Sequence, residues 1–498
     1  MRKKDALHEL IMSLTQNEKR FFKIYASRHT IGDKNNYVRL FESIGKLKEY
    51  DEEKLGNKIK GESFGGHLSA AKNYLYNLIL ECLDIYHKDS SSDRQISKYI
   101  NIARVLSEKR LDEQSIKIIA KAQMLSEKYD RFENIIVLSF LQKNIGFDRD
   151  VISVEELNAY YQKAFSALNK LNTKLEFNKT RDGLLIQRRR KGPVKNEEEL
   201  LHLKTFYDNP YFRNASKINS FDANIYYLLS KIEHSIISRD KKRGRIYTLK
   251  LISVFDLNVN RIADNINQYI YALNIFIGQR LYMDNEEANT VLERLISIPS
   301  LIGEKAVTNN VRVKIFEVYY GCITDIALAF KNYKNAIPHI LEAEKKLKKF
   351  EKQMTPSFNL VMKSNFACIY FGAGQYKQCL QWCNVVINDS PEYREDMFYT
   401  VRILNLITHF ELGNQLILPS LIKSTYRYLY TRKRVYQFES VFLKYLRLFL
   451  EAETKNEQTL LFIQLRTELV PLLDNTLENL IFNDIDIIAW IDKNIKRP

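Results

Sequence analysis

Glycine and proline are scarce in this chain, with only 16 and 9 among 498 residues. That scarcity leaves few sites for tight hairpin turns and few interruptions to helices, so a sheet-rich fold is not expected. Long apolar runs are lacking too. No stretch approaches the roughly 20 residues that a membrane-spanning helix requires, and charges punctuate even the greasiest windows. The N-terminus, Met1-Arg2-Lys3-Lys4, continues into Asp5, His8 and Glu9 without the apolar core of a secretory signal. A cytoplasmic location with no membrane contact is the expectation. Cysteine is sparse: Cys82, Cys322, Cys368, Cys379 and Cys383 are odd in number and lie within apolar helical patterns, as buried reduced thiols do.

Catalytic signatures are also missing. The chain holds no Gly-x-x-x-x-Gly-Lys phosphate loop, no His-Glu-x-x-His zinc pair and no Gly-x-Ser-x-Gly elbow. Its glycine cluster, Gly61-Glu62-Ser63-Phe64-Gly65-Gly66, lacks a phosphate-binding lysine and follows no strand, so it reads as a turn. The eight histidines are scattered, and none has a carboxylate and a nucleophile at triad spacing. Cys379 and Cys383, four residues apart, would share a helix face and could supply two metal ligands. No second cysteine pair or nearby histidine completes such a site, so packing is the better reading. No enzymatic activity, cofactor or metal is expected.

What remains is ordinary in composition, 45% apolar and 27% charged, but too long for one compact core. Residues 1–90 read as a small N-terminal domain of four helices. Thr15-x-x-Glu18 forms a capping box ahead of Phe21, Phe22 and Tyr25. Asn36 caps a second helix, Asn36–Lys48, with Val38, Phe41 and Ile44 inward, and Asp51 a short third one, Asp51–Lys60. Leu68, Ala71, Leu75, Leu78, Ile79, Cys82 and Ile85 make one apolar stripe at helical spacing. The polar run Asp89–Asp93 reads as a linker. Over residues 94–498, helix follows helix with short polar turns between, the pattern of stacked helix pairs that bury their apolar faces on one another.

Two segments carry a more specific pattern. Phe366, Ala367 and Tyr370 stand in a first helix, Gly374 and Tyr376 at a turn, Cys379 at a small position of the second helix, and Pro391 at its close. A preceding copy runs Tyr320, Ile323, Ala327, Tyr333, Ala336, Ile340 and Ala343, with Lys348 where proline would stand. Residues 318–391 thus resemble the tetratricopeptide repeat, a helix pair with small residues where its helices touch. Elsewhere only the helical pattern supports such a reading: a pair around Arg110-Leu111, and Gly413 at a turn with Pro419 opening the next helix. The fold class expected is all-α, the small N-terminal domain followed by an irregular α-solenoid. The resemblance implies a scaffold that holds a protein or peptide partner in a concave groove lined by first helices. Ala367, Tyr370 and Cys379 are then buried, while Asp325, Lys363 and Asn365 are the candidate contacts.

Charge points to a second possibility. Residues 171–250 hold 18 Lys and Arg against 9 Asp and Glu, more than half of the net charge of +16. Arg188, Arg189, Arg190 and Lys191 precede Gly192-Pro193 and read as the last turn of a helix, where cations suit the helix dipole. Lys241, Lys242, Arg243 and Arg245 read as a turn. Solvated surface explains such runs, and so does contact with nucleic acid or an acidic protein, with Phe206, Tyr207, Tyr211, Phe212, Tyr226 and Tyr227 nearby as stacking groups. On that alternative the chain is a nucleic-acid-binding regulator whose N-terminal helices read DNA. Asn36–Lys48 and Asp51–Lys60 match a helix-turn-helix only loosely, because Asp51, Glu52 and Glu53 would repel phosphates.

Overall fold

A computed structural model describes residues 5–496, apart from 29–35, 48, 59–66, 89–90, 150–151, 192–193, 195–196, 207, 209, 214–217, 219, 279–284, 304–305, 352, 390–394, 432–436, 475–480 and 483–484. The side chains of residues 28, 58, 189–191, 197, 213, 285, 395–396 and 474 also lie outside the description. The fold is all-α: the described residues form 24 α-helices and a few 3-10 turns, with no strand. None of the described helices is long and apolar enough to cross a membrane. The chain divides into two units, Met1–Ser238 and Arg239–Pro498.

The first unit begins with α1 (Ala6–Ser13), α2 (Gln16–Arg28), α3 (Asn36–Gly45), α4 (Glu52–Lys58) and α5 (Leu68–His87). Five helices are present where four were expected. The additional one is α1, whose cap, Asp5, accepts the His8 backbone N–H. Leu7 and Ile11 of α1 join Phe22, Leu40, Phe41, Leu75 and Ile79 in one core. Both halves of the Thr15–Glu18 capping box form, at 2.7 and 3.3 Å. The expected linker is shorter than its composition suggested, because Ser91 caps α6 (Ser92–Glu108) by accepting from the Arg94 N–H. Then come α7 (Asp112–Lys128), α8 (Phe132–Asp148), the 38-residue α9 (Val154–Lys191), α10 (Glu197–Thr205), α11 (Pro210–Arg213) and α12 (Phe221–Ile237). Each of α6 to α9 packs on the next, α6 also touches α8, and α12 lies along α9.

The second unit comprises α13 (Lys241–Asp256), α14 (Ile266–Gly278), α15 (Asn285–Ile302), α16 (Asn309–Ala329), α17 (Tyr333–Phe350), α18 (Pro356–Gly372), α19 (Tyr376–Asn388) and α20 (Glu395–Glu411). It closes with α21 (Leu418–Thr431), α22 (Gln437–Glu451), α23 (Lys455–Leu469) and α24 (Ile487–Ile495). Consecutive helices from α16 to α23 pack together. The alternate helices α16, α18 and α20 also touch, which leaves α18 enclosed by α16, α17, α19 and α20.

One turn design recurs. Arg110, Asp130, Lys331, Gly374 and Gly413 all take left-handed φ values between 53° and 76°. The residue after each donates its backbone N–H to the carbonyl five positions earlier, at 2.8–3.0 Å, satisfying a carbonyl that the helix end leaves free. In the first four cases just three residues separate the helices. Such a connection makes neighbours antiparallel.

Candidate binding groove

The segment that carried the repeat pattern is buried where it was expected to be. Ala336, Ile340 and Ala343 of α17, Phe366, Ala367 and Tyr370 of α18, and Cys379 and Cys383 of α19 are all core residues. Small side chains let these helices approach. Gly372 goes further: a Cβ there would stand 2.6 Å from Tyr333 Cε2 and closer still to two other ring atoms. The turn tyrosine thus lies directly on the backbone of α18. Cys379 Sγ lies 3.9 Å from Cys383 Sγ and 3.2 Å from Thr408 Oγ1, a contact set of packed thiols. Burial, with Cys379 alongside, pushes the Cys383 thiol far above its ordinary range. No group of three or more metal-ligating side chains occurs among the described residues. Pro391 and the Gly61–Gly66 cluster lie outside the described residues.

Over these helices opens a groove of about 600 Å³, walled by α17 and α19 and floored by α18. Glu344, in its lining, accepts two hydrogen bonds at 2.8 Å, from the Tyr370 hydroxyl and the Trp382 indole N–H. Burial, reinforced by Glu344, raises the Tyr370 hydroxyl well above its ordinary pKa, so it remains a donor. At one end Lys363 pairs with Glu351 at 2.8 Å, and Asn359 donates to the same carboxylate oxygen at 3.2 Å. The Lys363 bond and then the Asn359 bond hold Glu351 below its ordinary value of 4.5. Leu341 and Val385 keep 47% and 42% of their surface exposed on facing walls. Lys345, Lys348, Gln378 and Gln381 complete the rim, all exposed.

This groove lies on the second helices of the pairs, whereas the resemblance implied a groove lined by first helices. Of the three candidate contacts, Lys363 does line this groove, and all three are already engaged within the protein. Lys363 is only 8% exposed and is held by Glu351. Asn365 donates to Thr324 Oγ1 at 3.0 Å, tying α18 to α16. Asp325 is half-buried and already engaged. For Lys363 and Asn365 the cause is the enclosure of α18: on a helix surrounded by four others, positions off the apolar stripe are covered as well. Lys363 and Tyr370, singled out from sequence, line this groove, whereas Glu344, Lys345, Lys348, Gln378, Gln381 and Trp382 were not singled out. The available signal was Trp382, one of only two tryptophans, beside a lysine-rich second helix.

Two arginines of the basic segment, Arg188 and Arg245, are taken up by local carboxylates. The helix α9 does end at Lys191, as the run Arg188–Lys191 suggested; the side chains of Arg189, Arg190 and Lys191, and residues Gly192, Pro193 and Tyr207, lie outside the description. Arg188 stands 2.9 Å from the fully buried Glu233. Lys241, Lys242 and Arg243 do not form a turn but begin α13, because Asp240 caps that helix by accepting the Arg243 backbone N–H at 3.0 Å. All three are exposed. Arg245 is mostly buried, gives two hydrogen bonds of 2.6 and 2.8 Å to Glu287, and lies over the Phe276 ring. Phe212 and Tyr227 stack on each other and pack edge-on against Phe177. Their faces are thereby used inside the protein. No protein-family model, curated protein or solved structure matches the chain.

Proposed function

We propose that this chain is a non-catalytic binding protein of stacked helix pairs, and that the α17–α19 groove receives an acidic, amphipathic protein segment. One observation carries the reading: the exposed charges on the groove rim that enter no ion pair among the described residues, Lys345 and Lys348, are positive, while the half-buried Glu344, which has no ion pair among them, is met by two neutral donors. Glu344 is occupied by Tyr370 and Trp382, and Glu351 by Lys363. Lys345 and Lys348 are exposed and enter no ion pair among the described residues. An acidic segment would find complementary charge on the rim, apolar contact at Leu341, Val385 and the Trp382 ring, and amide partners at Gln378 and Gln381. The tetratricopeptide-like pattern supports a binding role, and five free, buried thiols suit a reducing cytoplasm.

A nucleic-acid reading has less to build on. Arg188 and Arg245 are spent on Glu233 and Glu287, and exposed Glu52 and Glu53 open the seven-residue α4 that would have to enter a groove of DNA.

The test uses synthetic acidic peptides with apolar residues at helical spacing, followed by Trp382 fluorescence in a Trp490→Phe background. We expect saturable binding that weakens with salt. Lys345→Glu with Lys348→Glu is expected to lower affinity at least about tenfold while leaving stability within about 0.5 kcal/mol per site, since both are surface changes. Binding indifferent to these reversals would refute the proposal.

A further inference from the structure

The first unit carries an apolar surface of another kind on α8 and α9. On α9 the positions Val154, Asn158, Tyr161, Phe165, Leu168, Asn172, Leu175 and Lys179 are all exposed, and they follow one another at alternating intervals of four and three. That is the spacing of a helix seam in a coiled coil. Phe165, Leu168 and Leu175 keep 54%, 42% and 52% of their surface exposed. The inward face of the same helix carries small Ala164 and Ala167. Between Tyr161 and Leu168, large residues outside and small ones inside reverse the usual order for a solvent-facing helix, whereas Phe177 and Leu184 further along are buried in the usual way.

Helix α8 repeats the pattern with Glu133, Val137, Phe140, Asn144 and Phe147, all exposed at the same intervals. The two helices run antiparallel, since Phe132 lies by Lys170 and Phe140 by Tyr161. Their stripes form one surface: Phe140 packs edge-on to Tyr161 at 5.9 Å, Tyr161 stacks with Phe165 at 6.3 Å, and Lys143 lies within 5.9 Å of the Phe140, Phe147 and Tyr161 rings. Taking about 200 Å² for a full aromatic side chain, the large apolar residues of both stripes expose roughly 600 Å². That is at the upper end of what monomers leave uncovered and close to the ~800 Å² per partner of a standard interface.

We infer that this face joins two copies of the chain, α9 of one packing antiparallel on α9 of the other, with the start of α8 at its edge. The stripe on α9 is suited to meeting itself in reverse. Setting Phe165 against Leu168 of the second copy places Tyr161 against Asn172, Asn158 against Leu175 and Val154 against Lys179, the alternation of an antiparallel pair. The same register brings Glu155 and Glu156, exposed at the start of α9, to Lys179 of the second copy, so opposite charges meet at both ends. A two-fold axis through the centre passes near residue 135 of α8, so only the start of that helix meets its own copy, with Val137 set against Glu133. This interface is independent of the proposed peptide groove, whose residues belong to the other unit.

Sedimentation equilibrium of the full chain tests the inference. The parent is expected to dimerise reversibly at micromolar concentration. Phe165→Glu with Leu168→Glu is expected to weaken the dimer at least about a hundredfold with helical content unchanged, and to remove any dependence of the melting temperature on protein concentration. Lys179→Glu alone should weaken it, and adding Glu155→Lys and Glu156→Lys should restore it. A parent that sediments as a monomer throughout overturns the inference, even if the face captures some other protein. So does a Phe165/Leu168 double variant that dimerises like the parent, or charge reversals that do not compensate each other.

Discussion

The absent side chain at Gly372 governs how two helices meet. Tyr333, at the start of α17, rests on the α18 backbone there, and its ring is half-buried. Burial, with the Asp486 charge nearby, pushes its hydroxyl up to about 12. A rigid ring cannot step aside as a flexible side chain could, so Gly372→Ala is expected to destabilise the protein by about 1–3 kcal/mol. Urea unfolding checks this, and a Tyr333→Ala background should remove most of the penalty, because the two changes share one contact. His409 offers a second single-residue case. Burial lowers its pKa from the ordinary 6.5, and its Nδ1 lies 2.9 Å from Asn414 Nδ2, a bond that needs an unprotonated Nδ1 to accept. The unfolded chain therefore binds the proton first as pH falls. Stability is expected to decline as pH drops through about 6.5 towards the lowered folded value. A nuclear magnetic resonance titration of His409 should give a midpoint below 6.5, and His409→Gln should flatten that part of the melting profile.

Between elements, register is set by polar clasps laid over apolar seams. Glu344 joins α17 to Tyr370 of α18 and Trp382 of α19. Tyr399 of α20 donates to the buried Glu439 of α22, and Tyr445 of α22 to Glu468 of α23 at 2.7 Å. Glu411 of α20 accepts from Trp490 at 2.7 Å and from Asn494 at 2.9 Å, both on α24. Apolar contact is non-directional and tolerates sliding, whereas a buried carboxylate must be met by its donors in place. Both tryptophans of the chain thus anchor a helix to a glutamate. Trp490→Phe keeps most of the aromatic volume and removes one donor from a carboxylate whose side chain is 1% exposed. It is expected to cost about 1–3 kcal/mol, read by urea unfolding, with faster amide exchange in α24 and α20. A stability equal to the parent's would show that the Trp490–Glu411 bond contributes nothing.

For the molecule as a whole, the helical class and the turns were legible because both are local. Apolar spacing of 3.6 residues writes a helix into any window of a dozen residues, and Gly374 and Gly413 mark left-handed turns that glycine enters without strain. Arg110, Asp130 and Lys331 take the same conformation with side chains present, so composition alone could not single them out. Burial of Ala367, Tyr370 and Cys379 was likewise readable, since small and aromatic residues at fixed spacing describe how neighbouring helices touch. The amino-acid sequence by itself therefore determined an all-α chain, most of its helix positions and much of the core between residues 318 and 391. Only the tertiary structure decided what each polar side chain meets. Lys363 looked free on a helix face and is enclosed against Glu351, Arg245 looked like open charge and is held by Glu287, and the groove opens between α17 and α19. Each outcome depends on helices brought together from distant parts of the chain, and electrostatic pairing acts through space over a few ångströms, without regard to separation along the sequence.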